Sequence, residues 1–358
     1  MTERNRFIDI SKGVAIILVL FNHYTWDKTS IFNTHLYYWI ISMAVPIFML
    51  CTGYVTALSF DVKKVTVRES YLPEKLCSKL VRYIMPVFWF YVLETVLTFV
   101  FQRIGYVEYL SGLGVVFSDA YEEKLTVFGI IKCFFEGGRG LHGTYYFPII
   151  LQVTFIIPFI CMIVKKYEWG VYLCFIINLV FEILKNPMGM TSGVYRIIAL
   201  RYIFSISLGC YLYIYREKYG KWYKWLIFFL LGMLYTYVVS YTSYERQIFT
   251  YRFRNNMISM LYITPPFLLG IKYLGKIRCA ILETLGKASY HILMVQILYY
   301  NFLAPLLWKA SDNKIISDFT GMCISLIICL GGGCGYYILY NFISKKYAKR
   351  KFIKRSAI

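Results

Sequence analysis

Three residues that could do chemistry, Asp9, Lys12 and His23, lie in one apolar stretch, Arg6 to Trp26 (RFIDISKGVAIILVLFNHYTW). His23 follows Lys12 by eleven residues. On a helix that spacing returns to within about 20° of the starting face after a rise of about 16 Å. Lys12 and His23 therefore share a face, with Asp9 offset by about 40° to its other side. An ionisable side chain at membrane depth costs several kcal/mol unless it faces protein or a water-filled cavity, and this makes it a functional candidate. A histidine there can act as general base or as nucleophile. It can also be a passive partner of a neighbouring helix, and spacing alone leaves both readings open. Asp9, three residues from Lys12, reads as its partner near the membrane entrance. About 21 Å of straight helix separates it from His23, too far to orient the imidazole.

The elements that must hold these residues follow from composition. The chain has 358 residues, 59% apolar and 16% charged, with long uncharged runs. That balance excludes a soluble globule and predicts an all-α, multi-pass membrane bundle. Ten spans are expected, at 8–26, 36–60, 80–101, 144–164, 169–184, 196–215, 222–243, 257–275, 288–308 and 316–340. One membrane domain, 1–343, precedes a basic tail, 344–358, because neither an internal repeat nor a low-complexity linker divides the chain. Net charge is +20. The basic residues lie mainly in alternate loops, an orientation signal and not a nucleic-acid surface. With the N-terminus inside, 26 of the 39 Lys and Arg fall on the cytoplasmic side, so both termini are expected there. No cleavable signal peptide is expected, because charge and His23 interrupt the first apolar run. The ten cysteines form no metal-binding doublet and read as small apolar residues, so no metal site is expected.

Further polar residues punctuate the other spans. Pro46 and the run Cys51, Thr52, Gly53, Tyr54 mark the second, where Gly53 permits a close approach by a ligand or by another helix. The loop 61–79 is rich in lysine, and Lys79 and Arg82 are helix neighbours at the mouth of the third span. The long loop 102–143 reads as external, with a short interfacial helix over LTVFGIIKCFFEGG. His142 stands at its end beside Tyr145 and Tyr146. Glu94, Gln152, Asn178, Glu182, Arg201, Ser289 and Gln296 fall inside spans. A buried charge needs a partner, and Glu182 with Arg201 is the expected ion pair. Ser289, Gln296 and Tyr300 share a face at separations of seven and eleven. The run LICLGGGCGYY lacks the strand and lysine of a phosphate loop and reads as a packing surface.

Taken in order, the first helix with its aspartate, basic residue and histidine, VPIFMLCTGY at 45–54, KLVRYIMP at 79–86 and LGKASYHILMVQ at 285–296 resemble the acyltransferase 3 family of integral-membrane acyltransferases. Lys12 stands where family members usually carry arginine, a residue with a two-pronged grip on phosphate that lysine lacks. The family commonly has tryptophan and an aromatic where this chain has Tyr145, Tyr146 and Phe147. Many members have histidine where Gln296 stands, and glutamine cannot transfer protons near neutral pH.

The resemblance implies an O-acyltransferase of the cell membrane, surrounded by membrane lipid. No permanently bound cofactor is implied. Acyl-CoA, acetyl-CoA in the first instance, would be the donor, bound from the cytoplasm by Lys12, Lys79 and Arg82. His23 would be the catalytic residue, supported by Asp9, Gly53, Tyr54, Glu182, Arg201, Ser289 and Gln296. A glycan acceptor, on a surface or exported polysaccharide or its lipid-linked precursor, would meet His142, Tyr145 and Tyr146. Succinyl is the alternative acyl group, with Arg201 for its carboxylate. A transporter of a lipid-linked or small anionic substrate also uses intramembrane Arg, Glu and His. The missing duplication of halves argues against common transporter folds.

Overall fold

A computed structural model describes residues 5–24, 30–106, 109, 144–185, 187–242, 256–304 and 314–356. The described residues are helical, with no strand among them. They include ten helices of twelve residues or more: α1 (Arg6–His23), α2 (Ala44–Lys63), α3 (Pro73–Arg103), α4 (Tyr146–Lys166), α5 (Gly170–Leu184), α6 (Ile203–Ile214), α7 (Leu226–Tyr241), α8 (Asn256–Leu269), α9 (Ala280–Leu298) and α10 (Lys314–Ser356). Each meets one expected span. Six helical segments among the described residues are long and apolar enough to cross a membrane; α5 and α6 are apolar but shorter, and α1 and α9 also fall outside that set. The last two carry charge, Asp9 and Lys12 on α1 and Glu283 and Lys287 on α9. The interfacial helix expected at 125–138 and His142 lie outside the described residues. The last helix runs without a break across 343–344 to Ser356.

Local sequence sets the helix starts. Asn5 caps α1 by accepting from the Phe7 N–H at 3.1 Å, which satisfies one of the four orphan donors of a first turn. Thr66 and Thr191 cap the short helices Val67–Ser70 and Ser192–Ile197 in the same way. Pro73 opens α3, where its missing N–H costs nothing. Lys64 ends α2 in the left-handed region, at φ 53°.

Successive helices run antiparallel. At one end, the Tyr213 hydroxyl donates to Asp61 at 2.8 Å, the Tyr215 hydroxyl donates to the Val164 carbonyl at 3.1 Å, and Lys218 pairs with Glu168 at 2.8 Å. The start of α1 lies beside the end of α8, where the Arg6 N–H donates to the Gly275 carbonyl at 3.0 Å. At the other end, the Tyr241 hydroxyl meets Nδ1 of His35 at 3.0 Å and accepts from the Trp39 indole at 3.1 Å.

Two tight crossings organise the interior. In the first, a Cβ at Gly13 would collide with the Leu282 carbonyl and one at Gly286 with the Asp9 carbonyl, so α1 and α9 touch backbone to backbone. In the second, Gly53 faces the Ile206 carbonyl and Gly209 faces the Leu50 carbonyl, joining α2 to α6. Small residues allow such contact where lipid offers no hydrophobic drive for helix association. By contrast α3, α7 and α10 expose large apolar side chains, among them Trp89, Val96, Leu230, Leu234, Ile327 and Phe342. That surface suits hydrocarbon and not water.

Candidate active site

His23 is the last residue of α1, about 26 Å of helix away from Arg6. It lines a cavity of about 50 Å³ with Ile16 and Val19 of the same helix, Val45 and Phe48 of α2, Tyr145 and Tyr146 at the start of α4, and Ser289, Tyr290 and Leu293 of α9. Lys12, Ile16, Val19 and His23 fall on one α1 face by helix geometry. Four expected residues, His23, Tyr145, Tyr146 and Ser289, thus come together from three helices.

The end of α1 is held in several ways. The Leu20 carbonyl, one of the last-turn acceptors a helix leaves over, takes hydrogen bonds from the Tyr300 hydroxyl and the Tyr24 N–H, each at 3.1 Å. The Tyr24 ring packs edge-on to Tyr300, and its hydroxyl fits against Gly321, where a Cβ would collide with it. Behind the cavity, the Tyr290 hydroxyl donates to the Tyr83 carbonyl at 3.1 Å and its ring meets those of Tyr83 and Phe147 edge-on. The Ser289 hydroxyl donates to the Gly286 carbonyl at 2.9 Å, a back-bond that leaves its lone pairs toward other groups.

The backbone around the His23 end of the bundle is irregular. The chain before α2 passes through a π-turn, a short helix and a 3-10 turn, with Ile40 out of helical geometry. Before α6 it breaks at Ile198, where Gln152 restores the lost hydrogen bonds. Its amide donates to the Ile197 carbonyl at 2.6 Å and accepts from the Ala199 N–H at 3.0 Å. Broken helices at membrane depth are tolerated only where protein or a cavity satisfies the freed groups, and the glutamine side chain does so here.

Other expected residues lie apart from the cavity. Lys12 is half-buried and forms neither an ion pair nor a hydrogen bond with Asp9, contrary to the pairing expected from their three-residue spacing. Lys79 and Arg82 sit on the first turns of α3, within electrostatic reach of each other and of Lys63 and Lys75. Lys79 lies one turn from Tyr83, which carries the Tyr290 contact, and Arg82 directly precedes it. Gly53 serves the α2–α6 crossing, and Tyr54 is buried edge-on to Tyr213 and Phe267. Gln296 is fully buried, and neither amide atom has a hydrogen-bond partner among the described residues.

The expected Glu182–Arg201 ion pair is not made. Glu182 pairs with Lys185 at 3.1 Å, both almost fully buried, and accepts from the Tyr195 hydroxyl at 2.7 Å. Arg201 instead stacks over the rings of Tyr195 at 4.6 Å and Tyr202 at 4.9 Å. The physical reason is proximity: Lys185, one turn from Glu182 on the same helix end, takes one carboxylate oxygen, and the Tyr195 hydroxyl takes the other. Arg201 lies within electrostatic reach of Tyr145 in the cavity wall.

Sequence reasoning missed Tyr290 and Lys185. Tyr290 precedes Leu293 by three residues and adjoins Ser289, so helical spacing could have placed it on the same wall. Lys185 follows Glu182 by three, the spacing of a helix ion pair.

Comparison with known proteins adds one match. The family model described as an acyltransferase domain, acyltransferase 3, matches residues 5–338. No curated protein and no solved structure matches the chain.

Proposed function

The chain belongs to the acyltransferase 3 family and is an integral membrane acyltransferase, and on that premise we propose that it transfers an acetyl group from cytoplasmic acetyl-CoA to a glycan hydroxyl on the outer side of the cell membrane. The carrying observation is the cavity at the C-terminal end of α1, where His23 meets Tyr145, Tyr146, Ser289 and Tyr290. In this reading both termini are cytoplasmic, and Lys12, Lys79 and Arg82 meet the donor at the other end of the bundle.

His23 has a defined role in the transfer. Its imidazole removes the proton of the acceptor hydroxyl as the oxygen attacks the thioester carbonyl. The tetrahedral centre collapses, the carbon–sulfur bond breaks, and the CoA thiolate recovers the proton from the imidazolium. The products are an ester and free CoA. Tyr145, Tyr146 and Tyr290 offer aromatic faces and hydroxyls to a sugar.

Cavity size supports acetyl. A volume of about 50 Å³ admits roughly three to five water-sized centres, room for a two-carbon acyl group and little more. A succinyl group would need further space and a cation, for which Arg201 near Tyr145 is the available side chain. The test is CoA release from acetyl-CoA by membranes supplied with surface-glycan precursor. Release that depends on both the precursor and His23 supports the assignment. Absence of release with acetyl-CoA and with succinyl-CoA overturns it.

A further inference from the structure

A second hollow opens at the other end of α1. It measures about 640 Å³ and is lined by Asn5, Arg6, Lys272, Lys276, Arg278 and Glu283. It is built: the Arg6 N–H donates to the Gly275 carbonyl at 3.0 Å, and the Asn5 amide donates to the Ile271 carbonyl at 3.5 Å. The Phe7 ring fills the space that the missing side chain of Gly270 leaves. Four cations face one carboxylate, and that carboxylate is engaged in capping its own helix, accepting from the Cys279 N–H at 3.2 Å. None of the four forms an ion pair among the described residues. The first turns of α1 and α9 flank the hollow and add their positive ends to it.

Four like charges gathered around a single carboxylate that is already engaged make a site for an anion of more than one charge. The volume falls within the usual range for ligand pockets. Orientation signalling alone requires loop cations but not their convergence on one hollow. We propose that this basin holds the phosphates of the donor's nucleotide, with the pantetheine arm directed along the α1 face through Lys12 toward His23. The inference rests on the acyl-CoA reading above, and it adds Arg6, Lys272, Lys276 and Arg278 to the donor site. A phosphate-bearing lipid headgroup offers the same chemistry from a second source.

The experiment measures CoA binding calorimetrically to the full chain in phosphatidylcholine nanodiscs. The Lys272→Gln/Lys276→Gln/Arg278→Gln variant is expected to bind CoA at least tenfold more weakly than wild type. Wild type should prefer CoA over 3′-dephospho-CoA, and the variant should lose that preference. Because the three substituted side chains are exposed, the variant is expected to keep the thermal midpoint of wild type, which is measured alongside. Equal CoA affinity in variant and wild type overturns the basin while leaving the acyl-CoA reading intact. Competition by phosphatidylglycerol that removes CoA binding in wild type but not in the variant reassigns the basin to a lipid headgroup. Failure of wild type to bind CoA at all overturns both.

Discussion

The Tyr290 hydroxyl donates to the Tyr83 backbone carbonyl at 3.1 Å, so the wall of the His23 cavity is fastened to the helix whose first turns carry Lys79 and Arg82. The proposed donor-phosphate contact near the start of α3 and the proposed reacting group near the end of α1 are thereby linked through one hydrogen bond. Tyr290 also bounds the cavity, so its size should set the acyl group that fits. Tyr290→Ala is expected to raise the rate with butyryl-CoA relative to acetyl-CoA by about tenfold or more, the scale of discrimination that one or two methylenes give in an apolar pocket. Parallel CoA-release assays with the two donors check it. An unchanged ratio would mean that the acyl group lies elsewhere.

His23→Ala should lower acyl transfer by about 10² to 10⁴, the range that general acid–base catalysis supplies, with normal amounts of protein in the membrane. His35→Ala is the matched control. His35 is exposed, and its visible engagement is with the Tyr241 hydroxyl at 3.0 Å, so its loss should leave the rate within a few-fold. Near-normal acylation by the His23 variant would sink the mechanism.

Gly286→Ala tests the frame that positions His23. A new Cβ would collide with the Asp9 carbonyl, a backbone atom that cannot swing away. Overpacking of this kind costs about 1–3 kcal/mol or more. A lower thermal midpoint and reduced transfer should appear together. Gly331→Ala on α10, where a Cβ meets open space, should leave both unchanged.

The fold was legible because membrane helices announce themselves by length and hydropathy, and all ten expected spans meet a helix. The His23–Lys12 face was legible too, since a straight α1 preserves the eleven-residue spacing. What helical periodicity could not supply was the choice among partners from different helices. Glu182 had two basic candidates, and the nearer one in sequence, Lys185, took it because it lies on the same helix end. Gly53 was open between ligand approach and packing, and its contact with the Ile206 carbonyl decides for packing. The basin at Arg6, Lys272, Lys276 and Arg278 was hidden because its cations come from segments far apart in sequence, each of which reads alone as ordinary loop charge.

The Glu182–Lys185 pair predicts a sign that the Arg201 pairing does not. Both side chains are almost fully buried, and removing one partner of such a pair costs about 3–5 kcal/mol because the other is left unpaired. Glu182→Leu and Lys185→Leu should each depress the thermal midpoint, and the double variant should recover most of the loss. The cycle of Glu182→Leu with Arg201→Leu should show weaker coupling. The reverse ranking would restore the Arg201 pairing.

Lys12 lies between the two ends of the proposed donor path, half-buried on the His23 face and with no ion-pair partner among the described residues. An unpaired ammonium at the rim of the membrane gains much from a phosphate or from the dipoles of the donor arm, because few waters compete there. Lys12→Ala should therefore weaken CoA binding more than Lys64→Ala, where an exposed loop lysine has several interchangeable neighbours. Lys12→Arg should retain activity, since it keeps the charge and adds donors. Asp9→Asn should leave CoA affinity within a few-fold, because no contact ties the carboxylate to Lys12. Salt should weaken wild-type binding, as exposed cation–phosphate attraction is screened over about 8–10 Å at ordinary ionic strength. The residual salt dependence of Lys12→Ala should stay close to that of wild type, because half-buried Arg6 and the exposed cations Lys272, Lys276 and Arg278 remain. Equal CoA affinity in Lys12→Ala and Lys64→Ala would remove Lys12 from the donor path and leave its place on the His23 face without a role in binding.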